Sequence, residues 1–259
     1  MIVAKRREDI AQAKVVRPIG ELQREADSGL PPINFKVRLE HSPPAVIAEI
    51  KRASPSKGDI APAMDAAQQA IRYARGGAAA ISVLTEPQWF KGTLEDLRKT
   101  REALEVLGAN RPGVLRKDFI IDEYQVLEAR IYGADAVLLI VSCLDDESLA
   151  RLLSYSQDLG MDALVEVNNS EEMERAGQAG AQLIGINNRD LNTFDVDLST
   201  TERLAGETPN GSLLAALSGI NKREDVARFE EVGATAVLIG EALMRAADPK
   251  VLIAELRGQ

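Results

Sequence analysis

The chain has 259 residues, a length that one α/β barrel fills as a single unit, and 45% of them are hydrophobic, enough for a sizeable core. Its formal net charge is -9 and it carries no Lys/Arg cluster, which argues against nucleic acid or an anionic membrane as partner. One cysteine, Cys143, and one histidine, His41, exclude an internal disulfide and a His/Cys zinc cluster. No spacing suggests a metal held by carboxylates. The opening MIVAKRREDIAQAK lacks the apolar centre of a signal peptide, and no run has the length of a membrane helix. A soluble, cytoplasmic protein is expected.

Residues 1–44 read as an N-terminal helical extension of one or two helices. It ends in a loop from Pro31-Pro32 to Pro43-Pro44 and either caps the remaining fold or reaches over its active site. Eight short apolar, β-branched runs follow. They are Val46–Ile50, Ala79–Leu84, Val114–Lys117, Ala136–Val141, Ala163–Val167, Leu183–Asn187, Leu213–Ser218 and Ala236–Gly240. Such runs suit parallel strands covered by helices. Between them the apolar spacing predicts helices over Ala66–Arg75, Leu94–Leu107, Glu123–Tyr132, Asp146–Leu159, Ser170–Ala179, Thr200–Leu204 and Arg223–Val232, with Pro249–Leu256 closing the chain. YGADAV, AGAQLI and VGATAV repeat one helix-stop, strand-start unit, with Gly133, Gly180 and Gly233 at the helix ends. Eight such units without a linker predict an α/β fold, a (β/α)8 TIM barrel over residues 45–259.

Strand residues alternate faces. Val46, Ala48 and Ile50 suit the helix layer, so Glu49 and Lys51 point into the barrel near its C-terminal rim. Lys117, Glu166, Asn187 and Ser218 close four other strands, and active sites of this fold gather on that rim. One charged strand end would read as an ion pair; several converging on one mouth read as a site. The seventh strand ends in Ser218-Gly219-Ile220 and the eighth in Ile239-Gly240-Glu241, where barrels often bind phosphate through backbone N–H groups and a short helix N-terminus. Each glycine alone would suit an ordinary tight turn. Ser54 and Lys51 of KRASPSKG are placed to close the same anion site. Neither a Walker loop nor a Gly-x-Gly-x-x-Gly is present, so nucleotide cofactors are unsupported. His41 and Cys143 read as structural. Trp89-Phe90 either lines the mouth or anchors a loop.

IAEIKRASPSKG at 47–58 resembles the first-strand signature of indole-3-glycerol-phosphate synthases. VLRKDFIIDEYQ at 114–125, LVEVN at 164–168, IGINNRDL at 184–191 and VLIGEALM at 237–244 are similar to the same family, in order. The resemblance runs from about Ile47 to the C-terminus. It implies a cofactor-free lyase that converts 1-(2-carboxyphenylamino)-1-deoxyribulose 5-phosphate into indole-3-glycerol phosphate, carbon dioxide and water. It further implies Lys117 as general acid, Glu166 as acid or base in the dehydration, and Glu49 and Lys51 as groups that order proton transfers and hold substrate. Asn187 and Ser218 would lie at the reacting portion. Ser54, Gly219 and Gly240, with Glu241 and Arg189 beside them, would hold the phosphate end. Phe90, Phe119, Leu138, Ile140 and Leu191 would form the wall for the anthranilate ring.

Many members carry Glu immediately before the Ser-Gly of the seventh strand, where this chain has Leu217. LSGI resembles the fungal branch, whose synthase is usually one domain between a glutamine amidotransferase and a phosphoribosylanthranilate isomerase. The resemblance therefore implies covalently fused partner domains. Two alternatives stay open at this level: a lysine-dependent aldolase acting through a Schiff base on Lys51 or Lys117, and a barrel kept as a scaffold.

Overall fold

The computed structural model describes residues 1–26, 29–191 and 193–259; residues 27–28 of the expected extension lie outside them. Ten strands follow one another as β1 Ala45–Ile50, β2 Ala53–Ser54, β3 Gly58–Asp59, β4 Ala80–Leu84, β5 Gly113–Lys117, β6 Ala136–Ile140, β7 Asp162–Val167, β8 Leu183–Asn187, β9 Leu213–Leu217 and β10 Ala236–Ile239. Eight are parallel and close a barrel in the order β1-β10-β9-β8-β7-β6-β5-β4, while β2 and β3 form a small antiparallel hairpin. Each barrel strand lies within a residue of its predicted span.

Helices fill the intervals: α1 Ile2–Val16, α2 Ile19–Ala26, α3 Phe35–Glu40, α4 Ala66–Arg75, α5 Leu94–Leu104, α6 Glu123–Ile131, α7 Asp146–Asp158, α8 Ser170–Gln178, α9 Ser199–Leu204, α10 Arg223–Glu231, α11 Glu241–Arg245 and α12 Pro249–Leu256. Short polar residues start many of them. The side chains of Asp65, Thr93, Asp122, Asp145 and Asn169 each accept a backbone N–H of the following turn. Gly133, Gly180 and Gly233 stop three helices at φ 86, 82 and 91, a region that favours glycine. The helix expected to reach Leu107 stops at Leu104 and tightens into a 3-10 segment, Glu105–Asn110. Val106 and Leu107 are exposed there, so no apolar stripe holds an α-helix, and Gly108 turns away at φ 56.

Alternation divides the core in two. Val46, Ala48 and Ile50 of β1 pack under the helices. Ala45 and Ile47 face the barrel interior with Leu115, Leu138, Ile140, Leu164 and Leu217. The N-terminal segment serves both ends of this barrel. Phe35 and Leu39 of α3 are fully buried against the interior cluster and plug its base. A side chain on Gly113 would run into the Phe35 ring, its Cβ 2.6 Å from Cδ2. The backbone N–H groups of Phe35 and Lys36 donate to Asp162 Oδ2 at 2.7 and 3.0 Å, and that of Ile33 donates to Asp135. At the opposite end α1 lies across the barrel mouth. Its Arg6 donates to the buried Asp118 at 3.0 Å and its Lys14 to Asp122 at 2.7 Å.

Candidate active site

The C-terminal mouth of the barrel opens into a cleft of about 430 Å³. Register brings the chemistry there. Glu49 and Lys51 leave β1 toward the interior, as alternation requires, and their side chains meet with Nζ 2.7 Å from Oε1. Lys117, at the end of β5, points to Glu166 on β7, Nζ to Oε2 3.9 Å. Asn187, at the end of β8, donates from Nδ2 to Glu166 Oε1 at 2.8 Å. The Asn187 amide is oriented from behind, because its Oδ1 accepts the Arg189 N–H at 3.0 Å and its backbone carbonyl accepts Asn168 Nδ2 at 2.6 Å.

The electrostatics fix the charge of Glu49. Burial works to raise the Glu49 carboxyl, but Lys51, Lys117 and Arg189 outweigh it and hold the group below the usual carboxylate range. Glu49 is thus an anion at neutral pH, balanced by a lysine in contact. Glu166 is also buried, and its Oε2 has no hydrogen-bond partner. A buried oxygen in that state is costly unless something arrives to use it. With Lys117 just beyond hydrogen-bond distance of that oxygen, a lysine and a carboxylate stand close enough for a single oxygen beside them to reach both.

The residues expected at the phosphate end converge. Ser54 lies on the β2–β3 hairpin, and the same cleft is lined by Ser218, Gly219, Gly240 and Glu241. Ser218 and Gly219 take φ 68 and 82 after β9. A Cβ on Gly219 would lie 2.5 Å from Val196, so only glycine brings this backbone to the cleft. Gly240 precedes α11 directly. Arg189 lines the cleft, with its guanidinium tied to the Phe194 carbonyl at 2.8 Å. Phe90, Phe119 and Leu191 line the other side, the two phenyl rings 6.3 Å apart and tilted by 41°.

Three expected residues sit elsewhere. Glu166 and Ile140 face a smaller cavity of about 100 Å³ that shares Asn187 and Leu191 with the main cleft. Leu138 lies in the packed barrel interior, 1% exposed. Sequence position alone does not fix depth along the barrel, which depends on strand stagger. Several residues that the sequence does not single out also line the cleft: Ile2 from α1, Lys57 beside the hairpin, and Phe194, Val196 and Asn221 from loops. Lys57 belongs to KRASPSKG, where its positive charge is a usable signal for an anion site. The loop residues gave none. Cys143 packs against the interior cluster, and burial pushes its thiol up to about 11, so it is no ready nucleophile. His41 ends α3 at the far end of the barrel. Among the described residues, no cluster of three or more His, Cys, Asp or Glu side chains could hold a metal. No described helix is long and apolar enough to cross a membrane.

A family model for indole-3-glycerol phosphate synthase matches residues 1–256. The chain belongs to the indole-3-glycerol phosphate synthase family. Members of this family are carboxy-lyases of tryptophan biosynthesis. A multifunctional tryptophan biosynthesis protein of Phycomyces blakesleeanus is 54% identical over 261 residues, covering 99% of this chain and 34% of that protein. An indole-3-glycerol phosphate synthase of Roseiflexus sp. (strain RS-1) is 47% identical over 261 residues, covering 99% of this chain and 97% of that protein. The chain thus spans about a third of the fungal relatives and nearly all of the bacterial one. Among solved structures, a 3-hexulose-6-phosphate synthase aligns with a TM-score of 0.62 at 19% identity, over 83% of this chain and 98% of that one. That likeness concerns the barrel fold alone.

Proposed function

We propose that this chain catalyses the indole-3-glycerol-phosphate synthase reaction in its mouth cleft. The observation that carries the proposal is the facing of Lys117 and Glu166 across a gap, with Asn187 on the same carboxylate. The phosphate of the substrate sits at Ser54, Gly219 and Gly240, and its aryl ring lies against Phe90 and Phe119. The aryl carbon bearing the carboxylate attacks the ribulose carbonyl, and Lys117 protonates the oxygen as the carbon–carbon bond forms. Carbon dioxide leaves, and its bonding pair returns to the ring. The new hydroxyl then departs as water with Glu166 moving the proton, and loss of the remaining proton yields the indole. Lys51, paired with Glu49, faces the carboxylate before it departs. Strong, fixed dipoles and charges in a cleft sheltered by α1 act here without solvent reorganisation.

The division into an extension, residues 1–44, and a catalytic barrel, residues 45–259, fits this reading: α3 supports the base and α1 supplies Ile2 and Arg6 at the mouth. We further propose that in its natural setting the chain is a cytoplasmic domain joined to a glutamine amidotransferase and a phosphoribosylanthranilate isomerase. The share of the fungal relatives that it spans and the LSGI segment support this. Incubation of the chain with 1-(2-carboxyphenylamino)-1-deoxyribulose 5-phosphate tests the activity. Indole product is expected. A covalent adduct trapped by borohydride with a sugar phosphate would favour the aldolase reading instead.

A further inference from the structure

The loop from β4 to α5 delivers Phe90 to the cleft, and a carboxylate with no part in the chemistry above fixes its shape from beneath. Glu86 is completely buried. Its Oε1 accepts the backbone N–H of Gln88 at 3.0 Å, and its Oε2 accepts those of Trp89 at 2.7 Å and Phe90 at 3.0 Å. Its backbone carbonyl accepts the Gly92 N–H at 2.9 Å and closes the loop. Gly92 is required for that closure, because a Cβ there would overlap the Leu84 carbonyl. A carboxylate leaves water only when its oxygens are satisfied, and charge-assisted bonds to three consecutive peptide N–H groups hold residues 88–90 in one orientation.

The other wall of the aryl slot is built on the same plan. Asp118 is buried and accepts the Phe119 N–H at 2.8 Å, but it is balanced by Arg6 and Arg116. Glu86 has the backbone donors of a single loop. We infer that Glu86 is a positioning residue for the aryl end of the substrate: it sets Phe90 against Phe119 so that a flat ring enters with its reacting carbon toward Lys117. The identity of that ring rests on the function proposed above; the loop geometry does not.

The test uses Glu86→Ala and Glu86→Gln in the full chain, with calorimetric affinities for two probes, 2-aminobenzoate for the aryl end and inorganic phosphate for the other. Loss of the three bonds in Glu86→Ala should weaken 2-aminobenzoate by about tenfold while phosphate stays within about twofold. Glu86→Gln keeps one oxygen for Trp89 and Phe90 and should fall between. KM should rise more than kcat falls. Trp89 is the chain's single tryptophan, so its emission and acrylamide quenching read the loop directly and should shift in the same order. If Glu86→Ala does not fold, the probe ratio in Glu86→Gln decides alone. Equal losses for both probes, an unchanged 2-aminobenzoate affinity, or no binding of it by the wild type would overturn the inference. A wild type that binds both probes but turns over no substrate would sink the proposed activity, leaving the positioning role to be decided by affinity and emission.

Discussion

Replacing Gly240 by alanine would place a methyl group on top of the Glu49 carboxylate. Its Cβ would overlap Oε1 and sit 3.1 Å from both Glu49 Cδ and Lys51 Nζ. Restoring a normal contact near 3.5 Å drives the carboxylate back by about 1 Å. Glu49 cannot yield freely, because it is 4% exposed and pinned by Lys51 at 2.7 Å. The atoms that give way are side-chain ends beside an open cleft, so the stability cost should stay near 1 kcal/mol, the low end for overpacking. The catalytic cost should be larger, since a displacement of that size in a reacting constellation costs on the order of a hundredfold. Gly240 has φ -115, outside the left-handed region that favours glycine, so the clash with the Glu49 carboxylate is the main effect expected. Steady-state kinetics and thermal melts on one preparation separate the two quantities. A variant with wild-type kcat/KM, or one whose loss tracks a collapse in Tm, would contradict the placement of Gly240 against the Glu49–Lys51 pair.

Other consequences follow from the same geometry. Lys117→Ala should lower turnover by about a hundred- to ten-thousand-fold while substrate still binds, and near-normal turnover would remove the acid role. Inorganic phosphate or sulfate should compete with substrate and appear in a soaked crystal near Ser54, Gly219 and Gly240; an anion found only elsewhere, with no competition, would count against that end of the cleft. Leu217 is 1% exposed and sits opposite Asn187 in register, so Leu217→Glu would bury a third carboxylate near Glu49 and Glu166. It should be neutral or harmful to turnover at neutral pH, and an inactive wild type rescued by this change would favour a retained scaffold. Burial pushes the Asp118 carboxyl up, but Arg116, Arg6, Thr85 and the Phe119 N–H outweigh it and hold it below its usual 3.8. Its stabilisation is therefore complete above that unfolded value and is lost as pH falls through the lower folded one. Arg6→Met should cost about 1.5–3 kcal/mol and move the acid-unfolding midpoint to higher pH; an unmoved midpoint would show that α1 is not anchored by this pair.

Much of this molecule is legible in its sequence. Val46, Ala48 and Ile50 alternate with Ile47, Glu49 and Lys51, and that period of two alone sends the charged pair to the barrel mouth. The strand ends at Lys117, Asn187 and Gly240 are legible for the same reason, since the fold fixes where strand ends gather. Other parts depend on non-local pairing. The β2–β3 hairpin has two residues per strand, too few to show a period. Helix α1 is docked at the mouth by Arg6 and Lys14 finding Asp118 and Asp122, more than a hundred residues away, and charge pairs leave no periodic trace. Leu138 and Ile140 share an interior face and are both packed in the core, yet only Ile140, two residues nearer the rim, also lines a cavity, and how deep that cavity reaches is set by the closed barrel as a whole. Glu86 looks in the sequence like an ordinary loop acid, because its partners are backbone groups that carry no residue identity.

The central claim is that the Lys117–Glu166 gap at the barrel mouth closes and decarboxylates an anilino-ribulose phosphate. The measurement that tests it most directly is indole fluorescence over time when wild-type chain meets 1-(2-carboxyphenylamino)-1-deoxyribulose 5-phosphate, with Lys117→Ala run alongside. The account predicts a rise with the wild type, matched by released carbon dioxide, and almost none with the variant. A folded wild type that gives no indole signal, or a variant that matches it, would contradict the claim.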